Sequence, residues 1–144
     1  MRLSTYFSYE ELTQSGYATR HGIDNTPGRD ELDNLKFTAE KLDRVRALLG
    51  VPVLVSSGYR CAKVNTAING SKNSQHLKGQ AVDFTAPSFG NPEQVARAIA
   101  DSHIPFDQLI LEFGAWVHIS FTKTNPRGQI LTIDRNGTKQ GLPK

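Results

Sequence analysis

The stretch Ser74-Gln75-His76-Leu77-Lys78-Gly79-Gln80-Ala81-Val82-Asp83-Phe84 decides how this chain is read. Its second half, Gln80 to Phe84, reads as a strand, so Ala81 and Asp83 share one face while Gln80, Val82 and Phe84 share the other. Its first half is polar and turn-like and follows Asn69-Gly70-Ser71-Lys72-Asn73. Gly79, between the halves, lets the backbone turn and lets a second group approach closely. His76 can therefore fold back over the face that carries Asp83. A third ligand is available downstream, where His118 lies in Trp116-Val117-His118-Ile119-Ser120. Two imidazole nitrogens and one carboxylate oxygen leave a fourth tetrahedral position open for water, the pattern of a catalytic rather than a structural zinc site. Taken singly, His118 reads as a satisfied core histidine and Asp83 as a paired carboxylate. Taken together with their spacing, the three favour a metal site that binds Zn2+.

Working outward, Val51 to Val55 is a short apolar strand. Ser56-Ser57-Gly58 turns the chain and sets Tyr59 and Arg60 at the strand end, and residues 61 to 68 suit a short helix. Upstream, Leu32, Leu35, Ala39, Leu42, Val45 and Leu49 recur every three or four residues, giving a helix over 31–49 with one apolar stripe. Gly50 stops it and Pro52 prevents its continuation. Ser8-Tyr9-Glu10-Glu11 is a capping box opening a short helix. Residues 14 to 30 read as loop, and His21 within them is expected to be solvent-exposed.

Downstream, Asn91-Pro92 begins a helix that runs to about Ser102. Asp107 to Phe113 and Trp116 to Phe121 read as strands joined at Gly114-Ala115, and Gln129 to Asp134 as a third with a turn at Asn136-Gly137. Residues 138 to 144 are expected to fray. Helices fall early and strands late, so the class is α+β, with helices packed on one face of a mainly antiparallel sheet. No repeat or linker divides the chain, and one domain over 1–144 is expected.

The pattern Ser74-x-His76-x-x-Gly79-x-Ala81-x-Asp83, followed by a Trp-x-His ending at His118, resembles the zinc D-alanyl-D-alanine carboxypeptidase family. That family includes phage endolysin peptidases and shares its fold with the hedgehog signalling domain. Ser56-Ser57-Gly58-Tyr59-Arg60 with Val64-Asn65 resembles the family's segment before the first ligand. Phe7-Ser8-Tyr9-Glu10-Glu11-Leu12 and Asn25-Thr26-Pro27 resemble its N-terminal part, so the likeness spans roughly residues 6 to 121.

The resemblance implies a hedgehog/DD-peptidase-like fold and a peptidase acting on peptidoglycan stem peptides. It implies Zn2+ on His76, Asp83 and His118, with Arg60 gripping the substrate. A guanidinium can hold a carboxylate by two parallel hydrogen bonds. Ser74 is placed to bind substrate or to support the ligand. Positions two and three before His118 are Trp116 and Ala115, neither of which accepts a proton, so Glu112 is the nearest acid for the general base. With a two-residue loop at Gly114-Ala115, Glu112 would face away from His118. With a three-residue loop of Gly114, Ala115 and Trp116, it would pair with His118 and face the metal. The alternative is a non-catalytic zinc module or a virion structural protein of the same fold.

With 144 residues, 38% of them hydrophobic and 22% charged, the chain can bury one core. A net charge of +3 suits an anionic partner such as a cell wall. No cluster of Lys and Arg alternates with exposed aromatics, so no nucleic-acid partner is expected. Cys61 is the only cysteine and reads as a quiet packed thiol. Met1 to Thr5 lead straight into polar residues without an apolar run, so neither a signal peptide nor membrane insertion is expected. The expected setting is synthesis in the cytoplasm followed by action on the wall after phage-type release, or as part of a virion. A monomer is expected.

Overall fold

A computed structural model describes residues 1–144. Five helices, α1 (Tyr9–Thr13), α2 (Gly16–His21), α3 (Arg29–Leu49), α4 (Ala62–Ala67) and α5 (Pro92–Ala100), accompany six strands. The strands are β1 (Leu54–Ser57), β2 (Ala81–Thr85), β3 (Gln108–Glu112), β4 (Trp116–Ser120), β5 (Gln129–Asp134) and β6 (Gly137–Gln140). They form one sheet in the order β1-β2-β4-β3-β5-β6. Every neighbouring pair is antiparallel except β3 and β5. The architecture is α+β, as the pattern of elements implies.

Strand parity explains how the sheet divides its residues. Val82 and Phe84 of β2, Val117 and Ile119 of β4 and Leu109 of β3 enter the apolar core. There they join Leu35, Ala39, Leu42, Val45 and Leu49 of α3 and Val95 and Ile99 of α5. Each fully buried Leu, Ile or Val contributes roughly 1.5–3 kcal/mol by leaving water. The intervening residues, Asp83, His118, Ile110 and Glu112, therefore point to the face away from this core.

Both uses expected of Gly79 are realised. Its φ is +74°, in the left-handed region. A Cβ there would fall 2.5 Å from the Glu31 carbonyl oxygen of α3. The group that approaches closely is thus the α3 backbone, and Thr38 on the same helix donates its hydroxyl to the Gly79 carbonyl at 2.8 Å.

Four boundaries differ from the sequence reading. Residues 14 to 30 contain α2, opened by the Ser15 side chain accepting from the Ala18 N–H and closed by Gly22 in the left-handed region. Six residues are too few to show a 3.6 period. Helix α3 starts two residues earlier, at Arg29. The strand expected at 51–55 is displaced to Leu54–Ser57, because Pro52 has no N–H to give a ladder. The tail does not simply fray, since Gly137–Gln140 pairs with β5 and the Gly141 N–H donates to Ile130.

Candidate metal centre and its cleft

The two inner strands bring the first two ligand candidates together. Asp83 of β2 lies directly opposite His118 of β4. The Asp83 Oδ1 is 2.9 Å from the His118 Nδ1. His76 arrives from outside the sheet, on a 3₁₀ turn at Gln75–Lys78, and its Nε2 is 3.3 Å from the same Asp83 oxygen. One ligand atom from each of the three lies within 4.8 Å of the others.

Local hydrogen bonds fix the His76 ring. The Gly58 carbonyl lies 2.7 Å from its Nδ1, so that nitrogen carries the proton and Nε2 keeps its lone pair for the centre. The Ser74 hydroxyl accepts from the His76 N–H and caps the turn. It also accepts from Arg60 Nη2 at 3.2 Å, which ties the arginine to the ligand-bearing turn.

Charge is arranged to suit a cation. Burial pushes the His76 imidazole below its ordinary value, against the opposing pull of Asp83, and so favours the neutral form that can ligate. Burial also works to raise the Asp83 carboxyl, but the facing His118 and His76 rings outweigh it and hold it well below the usual carboxylate range. Two groups bound at about 2.1 Å to a tetrahedral ion stand roughly 3.4 Å apart. The 2.9 and 3.3 Å separations are of that size, and two nitrogens with one oxygen are a zinc donor set. The residues fit the ion.

Glu112 faces the same centre, by a hairpin other than either expected one. It pairs with Trp116, while Ile110 pairs with His118. The loop is Phe113-Gly114-Ala115, two positions away from the register that would set Glu112 opposite His118. Phe113 and Gly114 take φ of 57° and 61°, and the Ala115 N–H donates to the Glu112 carbonyl at 2.9 Å. Positive φ at both central residues defines the primed turn that matches strand twist. A shift of two keeps the face, so Glu112 reaches His118 diagonally, with Oε1 3.7 Å from its Nδ1.

The three candidates and Glu112 line a cleft of about 570 Å³. Arg60, Gln75, Trp116 and Arg127 line it too. Burial raises the Glu112 carboxyl and Asp83 adds to the effect, against the pull of His118 and Arg60. The Arg60 Nε is buried without a partner in the protein. Nothing in the local sequence marks Gln75, Asp107 and Arg127 as site residues. They come together only because a turn, a strand start and a loop converge.

Outside the cleft, Cys61 is unpaired and packs partly against the core. His21 stacks on Tyr17 with centroids 4.1 Å apart. No helix is long and apolar enough to cross a membrane.

A buried His-Asp-His set beside a carboxylate and an arginine, on the open face of an α+β sheet, is a metallohydrolase arrangement. A family model described as Peptidase M15 matches residues 5–120. The chain belongs to that family, whose members typically bind zinc. No curated protein sequence matches the chain significantly.

Proposed function

We propose that the protein is a zinc peptidase that hydrolyses peptide bonds in the stem peptides of peptidoglycan. The observation that carries this reading is the convergence of Glu112 and Arg60 on the face that holds His76, Asp83 and His118. A purely structural metal site has no use for a carboxylate and a guanidinium with hydrogen-bonding capacity to spare. His76, Asp83 and His118 would hold the ion, and zinc bound there would polarise a carbonyl and make a water acidic near neutral pH. Arg60 binds and orients a substrate carboxylate with the part of its fork that Ser74 leaves free. Glu112 accepts the proton of the attacking water and passes it to the leaving amine. Its raised carboxyl places it nearer neutrality, where a base that must also act as an acid works best.

The finer reading follows the resemblance of the motif: a D-Ala-D-Ala carboxypeptidase-like or L-Ala-D-Glu endopeptidase-like cut, made by a monomer in a phage or prophage setting. The position of Glu112 favours catalysis over a binding module of the same fold. Purified cell walls digested with and without chelator, followed by mass spectrometry of the muropeptides, test the activity and identify the bond. Walls left intact by zinc-loaded protein would overturn the peptidase reading in favour of the binding module.

A further inference from the structure

Arg127 lies in the loop between β4 and β5 and is held at one edge only. Its Nε is 3.0 Å and its Nη2 2.6 Å from the two oxygens of Asp107, and its backbone N–H donates to Asp107 Oδ1 at 3.0 Å. Asp107 is buried, whereas 54% of the Arg127 side chain remains exposed, and Arg127 lines the cleft. A guanidinium has five N–H donors in a planar fork, so the edge bearing Nη1 stays free and fixed in direction. This is a cation set in place before any ligand arrives.

Gln75 completes the bracket. Its Nε2 donates to Asp107 Oδ2 at 2.9 Å. A carboxylate only accepts, so the amide nitrogen must face Asp107 and the Oε1 must face the other way. That oxygen is buried and has no partner in the protein. An unpartnered buried acceptor costs about 1–3 kcal/mol, which a ligand N–H would recover after a small turn of the Gln75 side chain, itself part of the cleft wall. A free guanidinium edge beside an orphaned amide acceptor matches a peptide segment that carries a carboxylate next to an N–H.

The bracket lies along the cleft from the metal centre. Ile110, not Asp107, is the residue of the third strand that faces His118. The three-residue step from Asp107 to Ile110 spans about 10 Å of extended chain. An extended peptide advances about 3.3–3.6 Å per residue, so a carboxylate held here is two to three residues from the bond being cut, the separation of D-glutamate from the D-Ala-D-Ala bond and not from the adjoining L-Ala-D-Glu bond. We propose that Arg127 and Gln75 form a subsite for the free α-carboxylate of the γ-linked D-glutamate in the stem peptide. This rests on the peptidase reading above and adds the side chain that selects the substrate.

The competing account is that Arg127 only tethers its loop to Asp107. Titration calorimetry on zinc-loaded full-length chain separates the two. The probes are L-Ala-γ-D-Glu-L-Lys-D-Ala-D-Ala and its D-isoglutamine counterpart, each with methyleneamine links at both candidate scissile bonds. The parent is expected to bind the acid at least tenfold more tightly than the amide. Arg127→Gln is expected to bind both alike with unchanged zinc content. Arg135→Gln, which removes an exposed arginine in the β5–β6 turn, should keep the preference and so exclude a net-charge effect. Should Arg127→Gln fail to fold, Arg127→Lys keeps a cation beside Asp107 and is expected to lose most of the preference. Failure of the parent to bind the acid, equal binding of acid and amide, or a preference that survives in the Arg127 variant, would each overturn the subsite. Wall cleavage without this preference leaves the peptidase reading standing, and the preference without wall cleavage removes that reading alone.

Discussion

The Glu112 carboxylate reaches to 3.7 Å from the His118 Nδ1 although the two residues are not opposite one another in the ladder. Glu112 and Trp116 form the last pair of the hairpin, and His118 sits one full side-chain repeat further in. The diagonal lets a long acidic side chain overlook the metal centre without competing for the position of a ligand. Glu112→Gln keeps the shape and removes the proton acceptor. Fold and zinc content are expected to persist while turnover falls by about two to four orders of magnitude. The pH–rate profile adds a second check. A base must be deprotonated, so parental kcat/KM falls as pH drops through the raised Glu112 value, and residual activity of the variant lacks that limb. Near-parental cleavage by Glu112→Gln would place proton transfer elsewhere.

Metal content tests the ligand set directly. His76→Ala and His118→Ala each leave two of three donors, Asp83 and one imidazole, too few to hold zinc at stoichiometry. Purified parent is expected to carry one zinc per chain, and each variant close to none, by atomic absorption. Because the Gly58 carbonyl orients His76, His76→Asn is also expected to fail, since it has no nitrogen at the Nε2 position. Full stoichiometry in both alanine variants would show that the ion binds elsewhere.

Much of this site could be read from short-range pattern. Parity within Gln80 to Phe84 sets Asp83 apart from the core-facing Val82 and Phe84, whereas His118 between Val117 and Ile119 reads by itself as a core histidine and is marked as a ligand only by the spaced motif. The hairpin was less legible, because its loop depends on Phe113 adopting a left-handed φ that bulky residues rarely take. The sequence allows a loop of two residues or of three at 114–116, and the observed loop has three residues but starts one position earlier. Helix α2 was invisible to periodicity and showed only in its Ser15 and Gly22 caps. The parallel pairing of β3 with β5 and the meeting of Gln75, Asp107 and Arg127 depend on long-range topology, on which local sequence is silent.

Arg60 distinguishes grip from scaffold. Its guanidinium is tied to Ser74 through Nη2, and burial lowers its ordinarily very high value while Asp83 and Glu112 oppose the change. Arg60→Lys keeps a cation but loses the planar fork. The expected outcome is intact zinc content with a loss of at least tenfold in kcat/KM on stem peptides. Parental activity in this variant would reduce Arg60 to a wall of the cleft.

Acid stability tests the anchoring of Arg127. The Asp107 carboxyl is lowered from its ordinary 3.8 to about 2, first by hydrogen bonds from the Arg127 guanidinium and against the effect of burial. A group whose folded value is depressed binds its proton more readily in the unfolded chain. Its stabilisation is therefore fully present above about pH 4 and lost as pH falls through the window down to about 2. Arg127→Gln removes the main cause of the depression and brings the folded value back toward the unfolded one. The variant is expected to be less stable than the parent above pH 4, with the gap closing as pH approaches 2. Urea midpoints at pH 6, 4, 3 and 2.5 give the difference directly. The acid titration of Asp83 and the other carboxylates is common to both proteins and cancels in it. A gap that stays constant across the window would mean that Arg127 supports its loop by packing, with no charge linkage to Asp107.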